Sequence, residues 1–181
     1  MKLKFAAIIT SILMLSVSAT PTKASESNSI KTSVVSVGAK ETKVLDIKNI
    51  IIHNNTIKMK KALSKLKKTV GKTWYVFSGE TPSGWDCSGL TRWFYKQMGI
   101  ELEHRASRQI QSGIITKDPM PGDIVAFRYS GRKDAYHVGI YVGNGKMIHA
   151  PKHGHLTRVE DISNFVNSYS SAVFVKMLET A

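Results

Sequence analysis

Cysteine, acidic residues and long apolar runs are all scarce in this sequence. Cys87 is the single cysteine among 181 residues. One cysteine excludes an intramolecular disulfide framework and any metal site that needs two cysteine ligands. Asp and Glu number 13 against 26 Lys and Arg, so the formal net charge is +13. No apolar run reaches the roughly 20 residues that a transmembrane helix requires. Cys87 is therefore a buried apolar filler, an intermolecular bridge or a reactive thiol.

The N-terminus has the pattern of a secretory signal peptide. Lys2 and Lys4 precede an apolar run, Phe5–Val17, and Thr22-Lys23-Ala24 offers a small-residue cleavage site. We therefore predict that residues 1–24 are removed and that the protein is secreted, either to the periplasm or outside the cell. Their removal takes away three lysines and no acid, which lowers the net charge from +13 to +10.

Two segments follow the predicted signal peptide. Residues 25–55 are rich in Ser, Thr, Lys and Asn with short Val and Ile patches, and we interpret them as a linker or N-terminal arm with one marginal strand. From Thr56 to Gly71, apolar residues recur at three- and four-residue steps, which predicts an amphipathic helix at the start of a domain over residues 56–181. Its lysines form a solvated face. Because no aromatic residue interleaves with them and the protein is predicted to be exported, they do not indicate nucleic-acid binding.

The rest of the domain consists of predicted helices followed by predicted strands. One helix is expected over Cys87–Met98, with Gly99 as its stop, and a shorter one over Ser107–Gln111. Five strand-like runs come next, and Asn144-Gly145 between two of them is typical of a tight hairpin. The runs are Ile124–Arg128, His137–Val142, Lys146–Ala150, Leu156–Glu160 and Ala172–Leu178. This order of elements predicts an α+β fold.

Cys87 stands at the beginning of the first of these helices. The stretch Gly84-Trp85-Asp86-Cys87-Ser88-Gly89 places the thiol where unpaired backbone N–H groups and the helix dipole favour a thiolate. The same N–H groups can donate hydrogen bonds to an oxyanion that forms on an attacked carbonyl. A structural cysteine would more naturally lie on the apolar face in mid-helix, so the position strengthens the interpretation as a nucleophile but leaves a structural cysteine open.

Two histidines in neighbouring predicted strands are candidates for the base that a nucleophile needs. His137 opens one strand and His149 lies near the end of the next. If Asn144-Gly145 forms a strict two-residue loop, Ile140 pairs with His149 and the two histidines lie on opposite faces of the sheet. A shift of one residue, which a three-residue loop would supply, pairs Tyr141 with His149 and puts both histidines on one face.

Four motifs in this order resemble those of the NlpC-type cysteine peptidase family. They are Asp86-Cys87-Ser88-Gly89, Pro121-Gly122-Asp123, His137-Val138-Gly139-Ile140-Tyr141-Val142-Gly143 and Met147-Ile148-His149-Ala150. The match covers about residues 57–178. The resemblance implies a papain-like α+β fold, with N-terminal helices packed on an antiparallel β-sheet, and hydrolysis of peptidoglycan stem peptides. The bond usually cut in this family joins γ-D-glutamate to the following diamino acid.

The resemblance also implies roles for individual side chains. Cys87 matches the nucleophile, His137 the base, and His149 the polar residue that orients the base, which favours the shifted register. Other residues match positions that contact the stem peptide, including its free amine: Tyr75, Asp86, Ser88 and Arg105. Two departures concern the substrate pocket. His104 stands where the family usually has Pro, and Phe77-Ser78-Gly79 replaces Trp-Gly-Gly.

Two other functions stay open for the same residues. One is a different thiol reaction on this scaffold, such as an amidase, another cross-link cleavage or an acyl transfer, because the fold and a Cys/His pair do not fix the reaction. The other is a non-catalytic module that binds anionic wall polymers through its positive charge. His149, His153 and His155 suggest a zinc cluster, but no acidic residue accompanies them in the sequence and the motif accounts for the first. We therefore predict no metal and no cofactor.

Overall fold

The computed structural model describes residues 29–181, so the predicted signal peptide lies outside the described residues. The chain divides into two units, residues 1–42 and 43–181, and the second unit contains all four motifs. Within the described range, every helix is too short or too polar to cross a membrane.

Three α-helices and a short hairpin come first along residues 29–181, and six further strands and a 3-10 helix follow. In chain order they are α1 (Ser29–Lys67), β1 (Glu80–Thr81), β2 (Gly84–Trp85), α2 (Cys87–Lys96), α3 (Ala106–Gln109), β3 (Ile114–Thr116), β4 (Ile124–Tyr129), β5 (Ala135–Gly143), β6 (Lys146–His149), β7 (Arg158–Asp161), a 3-10 helix (Ile162–Phe165) and β8 (Ser170–Lys176).

The helix α1 occupies most of the segment for which the sequence predicted an arm with a marginal strand. The Val and Ile patches of that segment are helical, so the expected strand is wrong. A strand needs a neighbour to satisfy its backbone, whereas a helix satisfies its own, and the preference of β-branched residues for strands is weak. The amphipathic helix predicted from Thr56 is confirmed as the end of α1, where Met59, Ala62 and Leu66 are buried.

Six strands form one antiparallel sheet in the order β3-β8-β4-β5-β6-β7. All five predicted strands are confirmed, with ends displaced by two residues or fewer. The sequence analysis did not find β3 or the β1–β2 hairpin, whose strands have only two or three residues each and so carry almost no periodicity.

The two faces of this sheet pack against different layers. On one face, Ile124, Val138 and Ile140 are fully buried with Leu90 and Phe94 of α2. The opposite face forms a second cluster, in which Val125, Phe127 and Met147 pack with Ile162 and Phe165 of the 3-10 helix. Each fully buried side chain of this size contributes about 1.5–3 kcal/mol. The first cluster fixes α2 against β5, and the predicted α+β fold is confirmed.

The loop between β5 and β6 is the strict two-residue one. Gly143 pairs with Lys146, and Asn144 and Gly145 between them have φ values of +52° and +68°. Positive φ at both central residues is what a type I′ hairpin turn requires. The three-residue loop considered from the sequence is therefore wrong.

A bulge in β5 supplies the shift of register instead. Val142 has no partner in β6, so Tyr141 pairs with Met147 rather than with Ile148, its partner in a strict register. The predicted pair of Tyr141 with His149 is therefore wrong. One extra residue in a strand moves every later pair by one position. His149 consequently stands beside Gly139, where an added Cβ would lie 3.1 Å from its own Cβ. His149 and His137 therefore share a face, as the sequence analysis required, but by another route.

Candidate active site

Asp86 fixes the first turn of α2 through its carboxylate. Oδ1 accepts hydrogen bonds from the Gly89 N–H (2.8 Å) and the Ser88 hydroxyl (2.9 Å), and it lies 2.9 Å from His104 Nε2. Oδ2 accepts from the Ser78 N–H at 3.0 Å. Burial pushes the pKa of Asp86 up, but the hydrogen bonds from Gly89, His104 and Ser88 outweigh it and lower the pKa overall. Asp86 is therefore an ionised N-cap.

The loop before α2 lies unusually close to this first turn. A Cβ on Gly89 would stand 1.9 Å from the carbonyl oxygen of Gly79, and a Cβ on Gly79 would stand 2.4 Å from that of Gly84. Only glycine permits backbone segments to approach so closely. The glycine of the Asp-Cys-Ser-Gly motif thus fixes the depth at which Cys87 sits.

Cys87 is half-buried at the N-terminus of α2. The backbone N–H groups of Val138, Ser88 and Cys87 itself are directed toward the thiol and favour its charged form. These donors lower the pKa of the thiol, as the sequence analysis expected. Burial, followed by the charge of Asp86, outweighs them and raises the pKa of Cys87 to about 11. Burial thus opposes the thiolate that the sequence analysis predicted.

A chain of hydrogen bonds joins the side chains of His137, His149 and Glu160. His137 Nε2 lies 2.8 Å from His149 Nδ1, and His149 Nε2 lies 3.0 Å from Glu160 Oε2. The Phe165 ring stacks on His137 at 5.6 Å and meets His149 edge-on at 5.3 Å. These packing contacts fix the planes of both imidazoles, so their nitrogens have defined partners.

Both imidazoles are neutral. Burial, followed by the neighbouring His149, lowers the pKa of His137 to about 3. Burial also lowers the pKa of His149 to about 4, although its hydrogen bond to Glu160 acts in the opposite direction. Neither ring is therefore protonated to the imidazolium form at neutral pH.

Cys87 is linked to β5 through the backbone N–H of Val138, the residue that follows His137. Among residues 29–181, no hydrogen bond joins the Cys87 sulfur to the His137 ring. Burial disfavours a charge on either group alone. A proton that passes from Cys87 to His137 creates two opposite charges together, and their attraction offsets the cost of burial.

Three of the four predicted substrate residues cluster with Cys87. Tyr75 and Cys87 pack against the same core cluster, and burial, followed by the charges of Cys87 and Asp86, raises the pKa of Tyr75. Ser88 is buried, with its hydroxyl committed to Asp86. Arg105 is exposed at the N-terminus of α3, and it follows His104, the residue that contacts Asp86. The cluster therefore comprises Tyr75, Asp86 and Ser88.

Sequence reasoning missed Glu160. It pairs with Met147 across β6–β7, and this register brings its carboxylate to the neighbouring His149. The segment between β6 and β7 carries no tight-turn signal from which that register could be read. The sequence analysis found no acidic residue to accompany His149, and this was wrong, because Glu160 contacts it. The other two histidines of the suspected zinc cluster lie in the following loop, where His153 is exposed.

The family follows from comparison with known proteins. The model of the NlpC/P60 family matches residues 71–179, which is more than half of the chain. The chain therefore belongs to the NlpC/P60 family, as its motifs indicated.

Individual relatives match the same region. A probable endopeptidase of Mycobacterium tuberculosis is 41% identical over 87 residues, which make up 47% of this chain and 22% of that protein. Murein DD-endopeptidase MepH of Escherichia coli is 37% identical over 113 residues, 58% of this chain and 40% of that protein. The crystal structure of the NlpC/p60 domain of the peptidoglycan hydrolase SagA has 31% identity and a TM-score of 0.54, and covers 64% of this chain and 96% of that one. The chain thus spans less than half the length of both curated relatives.

Proposed function

We propose that the protein is a secreted cysteine endopeptidase that hydrolyses peptidoglycan stem peptides at the γ-D-glutamyl–diamino acid bond. The observation that carries the proposal is the 2.8 Å hydrogen bond between His137 and His149, in a fold that packs the helix beginning at Cys87 against β5, the strand of His137. A nucleophile, a base and a group that orients the base are the parts of nucleophilic acyl transfer.

The reaction begins with Cys87. Its sulfur attacks the peptide carbonyl carbon while its proton passes to His137, so a C–S bond forms and the carbonyl oxygen becomes an oxyanion. The carboxylate of Asp86 already occupies the N–H of Gly89, so the N–H groups of Cys87 and Ser88, which act on the sulfur in the resting enzyme, donate to the oxyanion once it forms. The C–N bond then breaks, and His137 gives its proton to the leaving amine.

A water molecule completes the cycle. His137 removes a proton from water, the hydroxide attacks the thioester carbonyl, and the C–S bond breaks as Cys87 recovers its proton. No net charge or proton is gained by the enzyme. Hydrogen bonds to a general base are often long in the free enzyme and shorten when substrate binds. We therefore expect the distance between the Cys87 sulfur and the His137 ring to decrease on substrate binding.

Asp86 supplies the anionic end of the substrate site. Oδ1 takes three polar contacts and Oδ2 takes one, from Ser78, so Oδ2 has acceptor capacity for the free amine of a stem peptide. Tyr75 supplies a phenol whose pKa is raised by burial and by the charges of Cys87 and Asp86, and Arg105, at the N-terminus of α3, is a further candidate contact for the stem peptide. The net charge of +10 after leader removal attracts anionic wall polymers.

Digestion of purified peptidoglycan tests the proposal. The protein should release fragments with a new γ-D-glutamyl carboxyl terminus and a new diamino-acid amine, identified by mass spectrometry. Cys87→Ala should release none, whereas His153→Ala, a change at an exposed histidine of the same domain, should cut like the parent. Fragments cut at the sugar–lactyl amide would identify an amidase. Binding to walls without any cleavage by the parent would identify a non-catalytic module.

A second cleavage site is favoured by one comparison. The relative MepH is named a DD-endopeptidase, and it is 37% identical over 113 residues. The same digestion separates the two candidates, because cleavage of a DD cross-link converts dimeric stem peptides into monomers and leaves the γ-D-glutamyl bond intact.

A further inference from the structure

Two neutral imidazoles joined by one hydrogen bond can be arranged in two directions. Either His137 donates from Nε2 and His149 accepts at Nδ1, or the reverse. In the first arrangement Nδ1 of His137 is a bare nitrogen that can accept a proton. In the second it carries a hydrogen and cannot act as a base. The two histidines alone contain nothing that selects one direction.

The carboxylate of Glu160 removes this ambiguity. It lies 3.0 Å from Nε2 of His149. An ionised carboxylate only accepts, so the single hydrogen of neutral His149 stands on Nε2. Its Nδ1 is then an acceptor, and His137 must donate from Nε2.

Glu160 is kept ionised and oriented by two further side chains. Arg158 donates to Oε2 from Nε and lies 2.8 Å from it through Nη2 as well, and Asn164 donates to Oε1 at 3.4 Å. Burial pushes the pKa of Glu160 up, but the hydrogen bonds from His149 and Asn164 and the charge of Arg158 outweigh it and lower the pKa. The carboxylate therefore remains an acceptor over the neutral range.

Burial, with a smaller contribution from the charge of Arg158, prevents Glu160 from drawing a proton onto His149. Both lower the pKa of His149, against the effect of Glu160. His149 thus stays neutral. Its Nε2 hydrogen stays on the ring and sets the direction of the hydrogen bonds from His137 to Glu160.

We propose that Glu160 is a positioning residue that fixes the tautomers of His149 and His137 and so makes Nδ1 of His137 the base toward Cys87. This inference rests on the proposed roles of Cys87 and His137. It adds to them a fourth residue, on β7, that acts through His149 without touching the substrate.

Two substitutions of Glu160 separate the acceptor from the side chain's bulk. Glu160→Gln retains a carbonyl oxygen that accepts from both His149 and Arg158, whereas Glu160→Met has similar length and no such acceptor. The matched control is Asp161→Met, which removes the next carboxylate on β7, an exposed partner of Lys146 at 2.7 Å. All variants are first checked for a parent-like circular dichroism spectrum and thermal midpoint above the assay temperature.

Steady-state cleavage of a soluble stem peptide gives the first readout. Glu160→Met should lower kcat by at least about 10-fold, with little change in KM; the upper limit is the 10²–10⁴-fold that general-base catalysis contributes in all. Glu160→Gln should retain most of kcat, and Asp161→Met should match the parent. A parent-like kcat in Glu160→Met, or an equal loss in Glu160→Gln and Glu160→Met, would overturn the inference while leaving the proposed function standing.

The second readout needs no activity. In protein labelled with ¹⁵N-histidine, the parent should show His137 and His149 each with its hydrogen on Nε2, and Glu160→Met should show mixed tautomers. Hydrogen on Nδ1 of His149 in the parent would overturn the inference even if peptidoglycan is cleaved. If the parent cleaves nothing but shows the expected tautomers, the proposed function fails and the positioning of the chain by Glu160 stands.

Discussion

His104 Nε2 lies 2.9 Å from Oδ1 of Asp86, the carboxylate that caps the helix of Cys87. Its other ring nitrogen lies 3.7 Å from Glu80 Oε2. His104 occupies the position at which the family pattern has proline, so this chain adds a donor to Asp86 where proline would offer none. The departure noted in the sequence therefore changes the electrostatics of the capping residue.

Loss of this contact should destabilise the protein and make Asp86 easier to protonate. His104→Ala removes a hydrogen bond to a charged acceptor, worth about 1.5–3 kcal/mol when buried, and we expect about 1 kcal/mol at this partly exposed site. Because the hydrogen bond lowers the pKa of Asp86, its stabilising effect is present above the unfolded value near 3.9 and is lost as pH falls through the folded pKa.

Urea unfolding at pH 7 and at acid pH tests this expectation. The difference between His104→Ala and the parent should be largest at neutral pH and should shrink in acid. His153→Ala serves as the control, since it removes an exposed histidine. Equal stability of His104→Ala and parent at pH 7 would show that the contact with Asp86 contributes nothing.

The neutral histidines should make the fold sensitive to mild acid. The pKa of His137 is lowered to about 3 and that of His149 to about 4, whereas an unfolded histidine titrates near 6.5. Above pH 6.5 neither state is protonated and stability is complete. Below it the unfolded chain binds protons that the native state does not, so stability should fall by up to about 1.4 kcal/mol per pH unit for each histidine.

Denaturation midpoints measured between pH 7.5 and pH 4.5 check this slope. The parent should lose stability steadily across the range, and His137→Gln should show a shallower loss because one titrating group is gone. His153→Gln should keep the parent's slope. A parent whose stability is unchanged from pH 7.5 to 5 would contradict the neutral state of the pair.

The reactivity of Cys87 should depend on His137. Burial raises the pKa of the thiol to about 11, so the thiolate needs the imidazole as acceptor of its proton. With His137→Ala the thiol keeps its burial-raised pKa, and each unit of pKa lowers the thiolate fraction about tenfold. Iodoacetamide at pH 7 should therefore label His137→Ala at least about 10-fold more slowly than the parent.

The iodoacetamide labelling experiment has two controls. His153→Ala should label at the parent's rate, and all variants should label equally in urea, where burial is absent. Native His137→Ala that labels as fast as the parent would mean that Cys87 does not depend on His137 for its thiolate.

Much of the fold was predictable because its signals are local. The apolar spacing of α2, the Asn144-Gly145 turn and the alternation along β5 each depend on neighbouring residues, and each prediction was confirmed. The helical state of residues 29–55 and the short β1 and β2 were not predicted. In those segments, weak propensities leave the outcome to interactions that no local pattern records.

The candidate site likewise has residues that the sequence predicted and contacts that it did not. Motifs that resemble a family identified Cys87, His137 and His149, and the structure joins the two histidines. The bulge at Val142 and the contact of Glu160 were beyond prediction, because each depends on a strand register that one unpaired residue changes completely. The burial that raises the pKa of Cys87 is likewise a property of the assembled core rather than of its helix position.

The depth of α2 should control catalysis through Gly89. A methyl group there would stand 1.9 Å from the Gly79 carbonyl oxygen, so the first turn of α2 must move away from the loop. Overpacking of this kind typically costs about 1–3 kcal/mol, and helix propensity returns only about 1 kcal/mol. Gly89→Ala should therefore be less stable, and because Cys87 moves with the turn, it should also lose kcat at temperatures where it is fully folded.

Gly131→Ala provides the matched comparison. Gly131 has φ +75° and nothing within 4 Å of an added Cβ, so alanine there incurs only the left-handed strain of about 1–2 kcal/mol. The two variants should lose comparable stability in urea unfolding, but only Gly89→Ala should lose peptide cleavage. If both cleave like the parent, the close approach of Gly89 to Gly79 does not position Cys87, since a displaced first turn would carry the sulfur away from the Val138 N–H that now contacts it.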